Sequence, residues 1–338
     1  MSTETRGPLP VLRELVNGYR ISQAIRVAAV LGIADLLAEG SRTSDDLAAA
    51  TAAHPDALYR LLRALAAVGV FHEEEGHRFS LTAVGDCLRR DAPDSLYGWV
   101  MFDAGPTHWQ NWSALEYSVR TGENGFRHVF GTDSWTYRQD HPELGEEFDL
   151  AMSSLANLVI ATLLPIFDFG QFTTVVDVGG GNGALLAAIL AKYPKVQGVL
   201  FDQPHVVAHA GPVLEQAGVA DRCNVVGGDF FKEIPPNGDA YVLKSIIHDW
   251  EDAEAIAILR ICRQAMPKGA VLLAIERDLG SPNELPESKF SDLNMLLGPG
   301  GRERTVTEYA RLFDATGFRY VGFTGGSTGF GIFEGAAI

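Results

Sequence analysis

The chain has 338 residues, too many for one typical hydrophobic core, and its 46% hydrophobic and 21% charged content is that of a globular protein built from two domains. A formal net charge of −16 repels nucleic-acid phosphates and anionic lipid heads, so a small neutral or weakly ionised substrate suits this surface better. Cys87, Cys223 and Cys262 form no Cys-x-x-Cys pair, there is no run of roughly 18 apolar residues, and MSTETRGPLPV has no apolar signal core, so the chain reads as cytosolic, without disulfides or structural zinc.

From Leu12 to Leu37 apolar groups recur at helical spacing until Gly32 interrupts them. Ser44 is the expected cap of a helix opening with Asp45 and Asp46. A further helix, DALYRLLRALAAVG, ends at Gly69, and VFHEEEGHRFSLT reads as a hairpin turning near Gly76. Helix, turn, helix and hairpin together predict a winged-helix unit over residues 1–94. Such a unit can read DNA, but this one offers only Arg60 and Arg63 to phosphates, and its Ala- and Leu-rich surface fits dimerisation better.

Residues 95–165 read as helical, with Trp99, Trp109, Trp112, Phe126, Trp135, Phe148 and Met152. Such residues usually fill a core; some of them, Trp109 among them, also suit the wall of a pocket for a flat ligand.

Over residues 166–338 strand and helix alternate. TTVVDVG, VQGVLFD, CNVVGGDFF, DAYVLKSIIH and GAVLLAIE are five strand-like runs separated by helical stretches such as ALLAAILAKYP. That alternation predicts an α/β, doubly wound, Rossmann-like sheet. The first run ends in Asp177-Val178-Gly179-Gly180-Gly181-Asn182-Gly183, where glycines let the backbone turn and approach a ligand. Gly179-x-Gly181-x-x-Ala184 also matches a relaxed dinucleotide fingerprint. Asp202 ends the second strand at the distance of a ribose-binding acid; Asp229 ends the third, where it can meet an adenine amine with Phe230 stacked on the base. Either acid also suits a turn.

His248 ends the fourth strand, at the sheet edge where open α/β folds bind ligands, and is a candidate base. Asp249, Glu251 and Asp252 read best as caps of the next helix, and their spacing makes a poor metal site. Glu276 and Glu303 either flank the imidazole or pair with Arg277, Arg302 or Arg304.

Taken together, VVDVGGGNGALL, FDQPHVV, GGDFF, LKSIIHDWED, LLAIERD and GGRERTVTEYARLFDATGF closely resemble the small-molecule O-methyltransferases of the caffeate and hydroxyneurosporene type, whose bacterial members act in natural-product pathways. The resemblance covers nearly the whole chain and is loosest over Ser95–Leu164. It implies that His248 is the base and that Glu276 and Glu303 support it. It assigns Gly179, Gly181, Asp202, Asp229, Phe230 and Lys244 to S-adenosylmethionine, and Met152, Trp250, Asn294 and Met295 to the surroundings of donor and acceptor. It further implies a homodimer, no metal, and methyl transfer to a phenolic or enolic hydroxyl of an aromatic or polyketide-like molecule. Rival readings are a relative that binds the donor but hydroxylates, decarboxylates or cyclises, a nicotinamide oxidoreductase, and a DNA-binding regulator, which the acidic charge disfavours.

Overall fold

The computed structural model describes residues 7–326 and 329–338; the N-terminal stretch read for a signal core lies partly outside them. The chain divides into two compact units, Met1–Trp109 with Glu143–Leu155, and Gln110–Pro142 with Ala156–Ile338. The division thus runs through the helix Pro142–Leu163.

In the first unit, helix Pro8–Val30 ends at the left-handed Gly32, and helix Pro55–Ala67 buries Leu58, Leu62 and Leu65 at helical spacing. The cap of helix Ser44–Thr51 is Thr43 rather than Ser44: Thr43 and Asp46 form a capping box, which the hydroxyl one residue earlier is placed to complete. Strands β1 (Arg42–Thr43), β2 (Phe71–Glu74) and β3 (Arg78–Leu81) form a small antiparallel sheet in the order β1-β3-β2. The β2–β3 hairpin turns at Gly76 and His77, both with positive φ. This is the expected winged-helix order. Leu9, Leu12, Leu15 and Val16 on the first helix are 60–79% exposed, an apolar stripe left uncovered among the described residues.

The second unit is built on seven strands: β4 (Thr174–Val178), β5 (Gln197–Asp202), β6 (Cys223–Gly227), β7 (Ala240–Lys244), β8 (Val271–Arg277), β9 (Phe318–Gly325) and β10 (Phe330–Ala337). Their order is β6-β5-β4-β7-β8-β10-β9, parallel from β6 to β8, with β10 antiparallel to both neighbours. The five predicted strands are the five parallel ones. Val175 packs into the core on one face of the sheet and Val176 into that on the other, as strands covered on both sides require. The strand order reverses between β4 and β7, the position at which open α/β sheets bind ligands in a crevice beyond the carboxyl ends of their strands. No helix among the described residues is long and apolar enough to cross a membrane.

Candidate active site

β4 delivers Asp177 and then the loop Gly179–Gly183, in which Gly179, Gly181 and Gly183 have positive φ. A Cβ at Gly179 would lie 2.4 Å from Ile246 Cδ1, whereas a Cβ at Gly181 would meet open space, so Gly181 faces the crevice. Asp202, at the end of β5, accepts the Gly181 N–H at 2.9 Å and the Gln203 N–H at 2.6 Å, which braces the loop. Asp177 is buried, and neither of its carboxylate oxygens has a hydrogen-bond partner; burial raises its pKa to about 7 against the pull of Lys244. Its position just before the glycines was the available signal, and the sequence reading gave it no role. Lys244 ends β7; burial pushes its pKa down while Asp177, Glu276 and Asp249 pull it up.

Asp229 stands two residues beyond β6 rather than at its end, because the strand stops at Gly227. Its Oδ1 accepts the Phe231 N–H at 2.9 Å, which with Lys232 holds the carboxyl below its usual range. Phe230 borders Gly179 and meets Trp250 edge-on at 6.3 Å. Trp250 also stacks with Trp135 at 6.3 Å.

His248 is likewise not on its strand. β7 stops at Lys244, Ser245 takes a positive φ, and His248 sits in the short 3-10 turn Ile247–Asp249. Glu276 on β8 holds that turn: its Oε1 accepts the N–H groups of Ile246 at 3.0 Å and Ile247 at 2.7 Å. His248 is 9% exposed. Its Nδ1 lies 3.0 Å from Glu303 Oε1 and 3.6 Å from Glu276 Oε2, and its Nε2 lies 3.5 Å from Asp249 Oδ1. Two carboxylates facing Nδ1 hold a proton there, so Nε2 is the nitrogen that accepts once the ring is neutral. Burial opposes charge on the imidazole, but Glu276, Glu303 and Asp249 together raise its pKa to about 10. Glu276 is pushed up to about 7 by burial, against His248, and Asp249 to about 6 by burial. Glu303 is held below its usual range because His248 and Ser291 outweigh its burial.

Of the three acids beside His248, Glu251 holds the N-cap position and Asp252 the first turn of helix Asp252–Ala265, where negative charge suits the helix end, but none makes a side-chain capping hydrogen bond. Asp249 faces His248, Glu251 pairs with Arg302, and Asp252 accepts two hydrogen bonds from Arg304. The ligand atoms of His248, Glu276 and Glu303 lie within 4.8 Å of one another, a cluster that could also hold a metal ion. It draws its carboxylates from β8 and the Gly301–Arg304 loop, not from the acids beside His248.

Met295 is buried on helix Pro286–Leu297; the neighbouring Asn294 has a buried side-chain oxygen without a hydrogen-bond partner. A cleft of about 590 Å³ opens beside Asp249 and Trp250, with Tyr117, Arg127 and His128 on its walls. Tyr117 and His128 stack at 3.7 Å. The structure therefore gathers His248, Glu276, Glu303, Lys244 and the glycine loop at one edge of the sheet. Trp109 and Met152 belong to the first unit.

A glycine cradle, one acid at a strand end, a second two residues beyond a strand, and an unpartnered buried carboxylate fit a nucleoside ligand that also carries positive charge. Residues 112–319 match the O-methyltransferase domain, and residues 13–91 match the O-methyltransferase dimerisation domain. The chain belongs to the O-methyltransferase family. It is 42% identical to a phenazine O-methyltransferase of Lysobacter antibioticus, over 91% of this chain and 90% of that one. It is 43% identical to the O-demethylpuromycin O-methyltransferase of Streptomyces alboniger, over 90% and 82% of the two chains. A further relative, at 33% identity over 91% of each chain, is a phenazine-1-carboxylate N-methyltransferase of Pseudomonas aeruginosa. The crystal structure of human N-acetylserotonin methyltransferase with S-adenosylmethionine superposes with a TM-score of 0.91, at 26% identity over 100% and 99% of the chains. This enzyme is a methyltransferase that uses S-adenosylmethionine.

Proposed function

We propose that the enzyme methylates a hydroxyl of a flat aromatic or polyketide-like small molecule, with the Nε2 of His248 receiving the acceptor proton. The observation that carries this reading is the 3.0 Å contact of Nδ1 with Glu303, which commits one ring nitrogen and leaves the other for chemistry. The donor is assigned to Asp177, Gly179, Gly181, Asp202, Asp229, Phe230 and Lys244. When bound, S-adenosylmethionine supplies a methyl group on a positively charged sulfur. The unpartnered Asp177 is the natural partner of an ammonium, and Asp202 keeps lone pairs for hydroxyls beyond its two backbone bonds.

The base sits among three carboxylates, so in the free protein the cluster holds its proton at neutral pH. A bound donor would supply a positive charge that opposes that pull and would let the imidazole accept. Glu303 and Glu276 then stabilise the imidazolium that forms, and Glu276 keeps the ring aimed by fixing its turn. A phenol near pKa 10 is within reach of such a base, while an aliphatic alcohol is not.

The acceptor class is supported by the phenazine and puromycin enzymes among the relatives. Trp250, Asn294 and Met295 are its proposed contacts within the second unit; the roles read for Trp109 and Met152 remain proposals for the first. We assign dimerisation to residues 1–94, acceptor binding to 95–165 and catalysis to 166–338. The apolar stripe on helix Pro8–Val30 supports a homodimer, and the acidic surface supports a small molecule over nucleic acid or membrane as partner. Three free cysteines fit a reducing, cytoplasmic setting.

The experiment is His248→Ala, assayed by release of adenosylhomocysteine with a panel of phenols, quinols and enols. Turnover should fall by about 100-fold or more while donor affinity in calorimetry stays near that of the native enzyme. Native turnover in the variant would refute the base.

A further inference from the structure

Glu303 does not serve His248 alone. Its Oε1, the oxygen 3.0 Å from His248 Nδ1, also accepts a hydrogen bond from the hydroxyl of Ser291 at 2.7 Å. Ser291 lies on helix Pro286–Leu297, and its neighbour Asp292 accepts the backbone N–H of Glu303 at 2.9 Å. One short segment therefore fixes both the main chain and the charged oxygen of Glu303.

We propose that Ser291 is a positioning residue that weakens the hold of the Glu303–His248 pair on its shared proton, by donating to the same carboxylate oxygen as the imidazole. This inference rests on the reading of His248 as the base. A hydroxyl donor stabilises the ionised carboxylate. Its removal leaves that oxygen more basic, and the coupled pair then binds its proton more tightly, whichever partner carries it. The other groups around the pair remain in place. Glu276 on β8 and Asp249 on the turn pull the proton in, Lys244 at the end of β7 acts on Glu276 and Asp249, and Arg277 favours the ionised Glu303. Asp292 acts on Glu303 from its own helix, and Tyr309, on helix Val306–Asp314, feels both glutamates. None of these supplies a second hydroxyl at Glu303 Oε1 among the described hydrogen bonds.

The test compares Ser291→Ala, Ser291→Thr and Ser291→Cys with the native enzyme and with His248→Ala. The His248 ring protons are titrated by NMR in the donor-free protein, with His248→Ala assigning the signal. The pH profile of kcat is measured by adenosylhomocysteine release. Ser291→Ala should move the His248 transition and the acid limb of kcat to higher pH by about one unit. Ser291→Thr keeps the hydroxyl and should titrate as the native protein does; Ser291→Cys, a weak donor, should fall between them. The KM for the donor should not follow the series. A folded Ser291→Ala with an unmoved transition overturns the proposal, as does a Thr variant that shifts as far as Ala. If the Ala variant does not fold, the order of Thr and Cys decides. Native turnover in His248→Ala defeats the base reading itself, whereas an inactive His248→Ala with an unshifted Ser291→Ala defeats this inference alone.

Discussion

Replacing Glu303 by Gln removes a charge while keeping an oxygen to accept the Nδ1 proton, so it separates electrostatics from ring orientation. The charge removed lies 3.0 Å from Nδ1. At an effective dielectric constant of about 20 this contact is worth about 5 kcal/mol, or about four pKa units. The observed shift must be smaller. Glu276 at 3.6 Å and Asp249 at 3.5 Å remain, and Glu276, whose pKa Glu303 helps to raise, ionises more readily once Glu303 is neutral. We expect His248 to fall from about 10 by about two units in an NMR titration of the donor-free protein.

Turnover should fall by about 100-fold, because the imidazolium formed on proton uptake loses a counter-charge. Stability carries the same signature. A histidine whose folded pKa is raised contributes stability that is full below its unfolded value of 6.5 and is lost as pH rises through about 10. The deficit in melting temperature of Glu303→Gln should therefore narrow over that interval. A His248 transition within about half a unit of the native value would refute the electrostatic account.

Asp177→Asn should stabilise the donor-free protein increasingly with pH. A carboxyl raised from 3.8 to about 7 weakens the fold as pH climbs through that range, so the amide should be more stable by about 4 kcal/mol at pH 8 and by less at pH 5, at the expense of donor affinity. An equal gain in thermal melts at both pH values would count against it. Gly301→Ala places a Cβ 2.2 Å from the His248 carbonyl oxygen, so the catalytic turn must shift; kcat should fall at least about tenfold with a lower melting temperature, both read on the purified variant. Arg304→Met strips donors from the Ile247 and Trp250 carbonyls and should cost about 3 kcal/mol or more in urea denaturation; a loss below about 1 kcal/mol would mean that the frame does not depend on this guanidinium.

The sequence made the parallel strands legible because β4, β7 and β8 are buried on both faces and read as short apolar, β-branched runs between glycine loops and helices, while the half-exposed edge strand β6 still reads as such a run. β9 and β10 escaped notice. Gly322, Gly325, Gly331 and Gly335 break their apolar pattern, and Gly331 and Gly335 are glycine because the Phe323 and Phe313 rings occupy the space of a Cβ. Within the site, the glycine loop and Asp202 were readable because local chain order places them. The partners of Glu276 and Glu303 were not, since nearby arginines were equally good candidates by spacing. The fold settles this by giving Arg302 to Glu251 and Arg304 to Asp252, which leaves Glu303 to His248. The role of Asp249 was hidden for a similar reason: an acid just ahead of a helix looks like a cap until the turn directs it at the imidazole.

Four consecutive residues explain how His248 on an irregular turn is held in place. Gly301 lets the loop press against the main chain of His248–Trp250, Arg302 pairs with Glu251, Glu303 binds the imidazole, and Arg304 donates to the carbonyls of Ile247 and Trp250 and to Asp252. From the sheet side, Glu276 takes the N–H groups of Ile246 and Ile247. The turn is thus clamped through N–H groups, carbonyls and side chain by β8 and one loop, and needs no regular secondary structure of its own. The walls of the neighbouring cleft, Tyr117, Arg127 and His128, contribute none of these contacts. Substitutions there can alter the shape and charge of the cleft while His248 keeps its geometry. That separation lets the lining of the cleft change without disturbing the turn, in a family whose members include a phenazine and an O-demethylpuromycin O-methyltransferase.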